Sequence, residues 1–405
     1  MKSSSRHLLQ IGLTTNIFEW YEFIVFAYLA ETMGNVFFGN KVSSIAIINT
    51  FAVFAISYFI RPIGSIFFGY IGDKYSTEKV MRYTIVLMAF PTVIIGVLPS
   101  YAQIGIISPI CLILLRLIQG FAAGGELPNS ASYIYNKSLQ AGSNKIMLCS
   151  LPSIGSMSGA LLASLVIFIL YKLFNHVTII DWAWRLPFLL GFPLLIFILY
   201  IRRSISNLST NAVIIPKSLP NKKYWGKFVI AFILTGFLQI SFYILFVWLP
   251  SHLELSFGVS HQMSSYTNVL GMITGLVSTV FFGYLAKWIC HKKLLRFGIL
   301  GISISVYPIL AHITDSLSAT VFFQMFLGVM IGCIDGVYFY TIGKLFPDHL
   351  RNRGTSITFT CASAFLGGTS PLLCSYIIKN LHWMNFPAFY IVFFGAISLL
   401  VSFWL

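Results

Sequence analysis

The chain has 405 residues, 57% of them hydrophobic and only 9% charged, where a soluble domain carries about a quarter charged residues. Its formal charge of +15 would suit nucleic acid, but the basic residues are spread through short polar loops instead of forming one patch. Composition therefore excludes a soluble globular enzyme and a nucleic-acid binder, and predicts an all-α polytopic membrane protein.

Windows of roughly 20 apolar residues, the length that spans a bilayer core, recur at 10–38, 45–71, 82–98, 105–135, 146–172, 182–201, 227–249, 264–286, 295–313, 318–344, 353–378 and 386–405. The first window reads "NIFEWYEFIVF" over 16–26, with Glu19 and Glu22 three apart and so near one face of a helix. It is too long and too acidic for a cleavable leader. The second carries Arg61 twelve residues before Asp73, and the fourth carries Arg116, Gln119 and Glu126. The polar stretch 202–226, with Arg202, Arg203, Pro216, Pro220, Lys222 and Lys223, reads as a linker. The seventh window offers Gln239, Tyr243 and Trp248, and the tenth offers Asp335, Tyr338 and Tyr340.

Loop charges orient the chain. With the N-terminus inside, the loops on its side hold most of the lysines and arginines, while the opposite side has only Lys41, Lys172, Arg185 and Lys379. Basic residues concentrate on the cytoplasmic side, which predicts that both termini lie in the cytoplasm.

The second half repeats the first. "FFGYIGDK" at 67–74 returns as "FFGYLAKW" at 281–288, and Gly120 and Gly124 of "QGFAAGGE" match Gly328 and Gly332 of "LGVMIGCID". Glycines four apart let helices approach closely. Two pseudo-symmetric six-helix bundles are expected, 1–201 and 227–405, joined by a cytoplasmic linker at 202–226. That architecture suits alternating access about a site near the midplane.

In these blocks the sequence resembles the major facilitator superfamily, and specifically its bacterial metabolite:proton symporter branch, which includes proline/betaine, α-ketoglutarate, citrate and shikimate transporters. "NIFEWYEF", "RPIGSIFFGYIGDK", "RLIQGFAAGGE", "WAWRLPFLLG", "LFPDHLRNRG" and "GGTSP" occur in family order across nearly the whole chain. The resemblance implies a multi-pass secondary transporter of a bacterial inner membrane. It also implies a conformational gate at the cytoplasmic loops, here Asp73, Lys74, Arg351 and Arg353. The loop "DKYSTEK" departs from the family's usual Gly-Arg-basic run, and Lys287 and Lys344 stand where acids are common, so that charge lock is altered here.

At about 1.5 Å per helical residue, Glu19, Glu22, Arg61, Glu126 and Asp335 fall in one slab near the midplane, with Arg116 closer to the outside. A charge there costs at least ~2.5–3.5 kcal/mol on insertion scales, so it faces a partner or a cavity. A carboxylate whose arginine partner comes and goes would bind a proton in one state and release it in another. Glu19, Glu22, Arg61 and Glu126 are therefore the proton-coupling candidates. The alternatives are a permanent Glu19–Arg61 pair that only fixes packing, and a structural hydrogen bond for Glu126 beside Pro128. Arg116, Gln119, Gln239, Tyr243, Trp248, Asp335 and Tyr338 are candidates for binding substrate, or else polar glue and core.

The histidines lie in loops or near span ends, with no HExxH or GxSxG, and the cysteines lack metal-type spacing. No catalytic residue, metal or cofactor is expected. The partners expected are a small polar metabolite, a proton and the lipid bilayer, with the chain acting as a monomer. A zwitterion of the proline/betaine type is favoured over an organic acid, since few deep cations are available for a dicarboxylate. A non-transporting membrane sensor is the remaining reading.

Overall fold

A computed structural model of the chain describes residues 3–39, 43–74, 77–124, 126–139, 144–203, 224–312 and 316–405. Among these residues there is no strand, and each of the twelve apolar windows is helical. Span 1 is Ser3–Tyr28 continued by Ala30–Phe38. Span 2 is Ser43–Phe59 continued by Arg61–Lys74, span 3 is Thr77–Val97, and span 4 is Ile107–Ala123 followed by Glu126–Ser138. Span 5 is Leu151–Leu173, and span 6 bends by 44° between His176–Ala183 and Arg185–Phe197. Spans 7 to 12 are Trp225–Phe257, His261–Leu285, His291–His312, Leu317–Leu345, Asp348–Leu381 and Phe386–Trp404. The linker stretch 204–223, with Lys222 and Lys223, lies outside the described residues.

The helix surfaces are inverted relative to a water-soluble fold. Ile66, Phe90, Ile106, Ile304 and Phe322 point outward, while Glu19, Glu22, Arg61 and Arg116 are buried. Lipid is the solvent that makes outward isoleucine and phenylalanine cheap.

Packing follows the internal repeat. Span 1 lies on span 5, span 2 on span 4 and span 3 on span 4; in the second half span 7 lies on span 11, span 8 on span 10 and span 9 on span 10. The halves meet where span 5 runs along span 8 and span 2 along span 11.

The repeated glycines set the close approaches. A Cβ on Gly120 would stand 1.9 Å from the Ser57 carbonyl oxygen, and one on Gly124 would stand 2.1 Å from that of Arg61. In the second half, Gly328 and Gly332 meet the carbonyls of Gly271 and Gly275 at 2.3 and 2.6 Å in the same sense. Backbone cannot yield as a side chain can, so any larger residue here separates spans 2 and 4. Gly124→Leu should therefore lower the unfolding temperature of the detergent-solubilised protein, with a cost of at least the ~1–3 kcal/mol typical of overpacking. Gly226→Ala, where a Cβ meets nothing within 4 Å, should leave it unchanged. Equal melting temperatures for the two variants would contradict this packing.

Among the described residues three segments are π-helical: Ile179–Ala183 in span 6, and two that face one another in the second half. These two are Tyr243–Trp248 in span 7 and Ser363–Gly367 in span 11. Such bulges recur at functional positions because they re-aim side chains and loosen the backbone ladder.

Candidate functional site

Pro62 has no N–H to bond to the Tyr58 carbonyl, so the helix of span 2 breaks at Ile60 and restarts at Arg61. The break delivers the Arg61 side chain toward span 1, where its Nη1 donates to Glu19 Oε1 at 3.2 Å. Both side chains are almost wholly buried, 4% and 1% exposed. The guanidinium lies in the corner of the edge-on Phe23–Tyr58 pair, 4.0 and 3.9 Å from their centroids. Each desolvated cation–π contact of this kind can contribute ~2 kcal/mol, which offsets part of the cost of burying the ion pair.

One turn along span 1, Glu22 lies beside Arg116 and Thr92. Arg116 is fully buried, its guanidinium 3.6 Å above the Phe26 ring, and its Nη1 donates to Gln119 Oε1 at 3.1 Å. Gln119 in turn donates to the Thr92 hydroxyl at 2.6 Å, and Thr92 donates to the Met88 carbonyl. The single Thr92 proton can go either to the Met88 carbonyl or to Glu22, which lies within its reach. Among the described residues, Nε and Nη2 of Arg116 have no hydrogen-bond partner. Buried polar groups in that condition are costly, and a protein that keeps them has a use for them. Phe23 separates the two arginines, 5.7 Å from Arg116.

The first-half cluster touches the second half through aromatic residues. The Tyr58 and Tyr243 hydroxyls share a hydrogen bond of 2.5 Å, which joins span 2 to the π segment of span 7. Trp20 stacks on Tyr243 at 6.2 Å and meets Phe242 edge-on at 5.1 Å. Gly367 and Gly368 allow this fit, since a Cβ on Gly368 would enter the Tyr58 ring at 2.5 Å. Gln239, one turn before the π segment of span 7, donates to the Ser363 hydroxyl at 2.6 Å and so ties span 7 to the π segment of span 11, and Tyr338 bonds Thr235 at 2.6 Å.

Beside Trp20 lies a cavity of about 30 Å³ walled from both halves by Leu127, Ser153, Gln239, Asp335 and Tyr338. That is room for about two water molecules and for no metabolite. Among the described residues, contacts join the two halves both above and below it. On the face of the termini, marked by the Lys292 bond to the Leu405 carbonyl, Arg351 bonds Asn136 at 2.7 Å and covers the Tyr135 ring at 4.4 Å. On the opposite face, His261 of span 8 stacks on Tyr171 of span 5 at 4.8 Å.

The remaining candidates fall in different places. Trp248 lies further along span 7, bonded to Ser375 and stacked on His252, in a second cavity away from Arg61. Arg351 holds the carbonyls of Gly343 and Phe346 and the Asp348 carboxylate in addition to Asn136, and Arg353 follows on the same helix. Tyr340 sits between Tyr135 and His291 near the termini face. The side chains of Asp73, Lys74 and Glu126 lie outside the described residues. Sequence reasoning missed Tyr58, Trp20, Phe242 and Thr92; the break at Pro62 and the doublet Phe242–Tyr243 beside Gln239 were the available signals.

Residues 11–371 match the profile of the Major Facilitator Superfamily. A Staphylococcus aureus (strain COL) protein named "Putative proline/betaine transporter" is 32% identical over 411 residues, covering 99% of this chain and 88% of its own. The proline/betaine transporter of Escherichia coli (strain K12) is 26% identical over 408 residues, covering 96% of this chain and 80% of its own. Among solved structures, a D-xylose-proton symporter superposes with a TM-score of 0.76 at 19% identity, over 98% of this chain and 96% of that one. A partially occluded inward-open xylose transporter from E. coli gives 0.75 at 15% identity, over 100% and 97%.

Proposed function

Because the chain belongs to the major facilitator superfamily, we propose that this multi-pass membrane protein is a proton-coupled symporter. Its substrate is a small polar metabolite, with a zwitterion of the proline/betaine type first. The halves 1–201 and 227–405 rock about the buried cluster in a bacterial inner membrane, with both termini in the cytoplasm. The observation that carries this reading is the Glu19–Arg61 pair, packed on Tyr58, whose hydroxyl bonds Tyr243 of the other half. A pair so placed feels any relative movement of the halves. When Tyr243 withdraws, Tyr58 and Arg61 shift and Glu19 exchanges its cation for a proton; the return step releases that proton. Glu22 and Glu126 are the further proton carriers proposed.

The zwitterion preference rests on two features. Trp20, Phe242, Tyr338, Phe339 and Phe359 line the cavity, with Tyr243 stacked on Trp20, and such an aromatic lining suits a quaternary or secondary ammonium. Arg116 keeps two donors for a single carboxylate. Gln239, Tyr338 and Asp335, which wall the cavity from the second half, and Gln119, which orients Arg116, complete the proposed binding set. No cofactor is required, since one charge moving through 100 mV supplies ~2.3 kcal/mol, enough for very roughly fiftyfold accumulation.

Uptake of radiolabelled proline, betaine, α-ketoglutarate, citrate and shikimate into proteoliposomes tests the assignment. Under an inward proton gradient, proline or betaine should accumulate, and dissipating the gradient should collapse that accumulation. Uptake of an organic acid alone would move the substrate class to the organic acids, and flux indifferent to the gradient would overturn symport.

A further inference from the structure

On the face opposite the termini, a group of ligand-type side chains converges from both halves and takes no part in the cluster above. Glu31 comes from the end of span 1, His176 from the short helix His176–Thr178, and His261 from the first residue of span 8. One ligand atom from each lies within 4.8 Å of the others. His261 Nε2 is 3.9 Å from Glu31 Oε2, too long for a hydrogen bond. The gap is near the spacing of ligands around one tetrahedral ion, about 3.4 Å for bonds of ~2.0–2.1 Å.

Both inner ligands are oriented from behind. Glu254 Oε2 stands 2.9 Å from His261 Nδ1, leaving Nε2 as the atom aimed at Glu31, and the Ser43 hydroxyl donates to the other Glu31 oxygen at 2.5 Å. A carboxylate behind the second imidazole nitrogen and a hydrogen bond behind a carboxylate are the supports that metal ligands carry. Tyr171 packs on the His261 ring at 4.8 Å and holds its plane. His176 lies parallel to His261 at 5.1 Å, so it must rotate to bring a nitrogen to the same ion. It is exposed and on a surface turn, where that rotation is open to it.

We propose that Glu31, His176 and His261 form a binding site for a borderline divalent cation such as Zn²⁺, which staples the two halves together and holds this mouth shut. Two imidazoles and one carboxylate suit zinc in preference to calcium or magnesium. Glu31 and His176 belong to the first half and His261 to the second, so the ion favours only conformations in which this mouth is closed. Binding is thereby linked to the alternation proposed above, and the inhibitory consequence rests on that reading. The site itself does not.

Zinc titration of the detergent-purified protein against a chromophoric chelator measures the site directly. One ion per chain should bind, and His261→Ala and His176→Ala should each weaken that binding by about tenfold or more. In proteoliposomes, micromolar Zn²⁺ on this face should slow uptake severalfold in the native carrier. The variants, each normalised to its own metal-free rate, should be unaffected. Stoichiometric binding unchanged in both variants, or no binding at all, overturns the site. Binding with the expected losses but no effect on flux overturns the staple and leaves the site.

Discussion

Arg61→Leu should abolish uptake, with a fall of at least about a hundredfold in initial rate, the equivalent of ~2.7 kcal/mol. The same change should destabilise the fold. Removing the guanidinium takes away the cation that the Glu19 carboxylate, 1% exposed, bonds at 3.2 Å, and breaking a buried pair costs about 3–5 kcal/mol. It also empties the corner of the Phe23–Tyr58 pair. The double variant Glu19→Gln/Arg61→Leu separates structure from coupling. With both charges gone the unpaired-ion cost disappears, so the melting temperature should recover much of its loss. Transport should not recover, because the carboxylate that trades Arg61 for a proton is gone. A double variant that regains both would mean that the pair only fixes packing, the alternative left open by the sequence.

Arg116→Lys should lower kcat/KM by about two orders of magnitude with little change in folding. The fork of Arg116 does several things at once that an ammonium cannot: it covers the Phe26 ring, donates to Gln119 and keeps Nε and Nη2 as further donors. Lysine offers a point charge on a flexible stem and no bidentate geometry. Truncating one partner of a buried, charged hydrogen-bonded contact costs about 2–5 kcal/mol, and the lower half of that range gives the expected factor. Initial rates measured over a range of proline or betaine concentrations check it. A fall of less than threefold would assign Arg116 to helix packing.

What could be read beforehand follows from rarity. Charges are so few in this chain that each one inside an apolar window carried information, and depth counting alone put Glu19 and Arg61 at one level, where they bond. The matched glycines were legible for a similar reason: backbone contact tolerates nothing larger, and the same spacing twice is hard to produce otherwise. Aromatic residues carried little signal against a 16% background. Tyr58, invisible as one tyrosine among twenty, turns out to join the halves, while Trp248 lies in another cavity. The π segments that orient Tyr243 and Ser363 depend on tertiary packing and leave no periodicity to find. The histidines looked peripheral because His176 and His261 are far apart in sequence; only the fold brings them together with Glu31.

The central claim is that Glu19 trades Arg61 for a proton as the carrier alternates. It is tested most directly by following internal pH in proteoliposomes with an entrapped dye when substrate is added to one side. The native protein should acidify the lumen in step with substrate influx. Glu19→Gln should still exchange labelled for unlabelled substrate while moving no protons, with Glu22→Gln and Glu126→Gln identifying any further carrier. Full proton movement in Glu19→Gln would contradict the account.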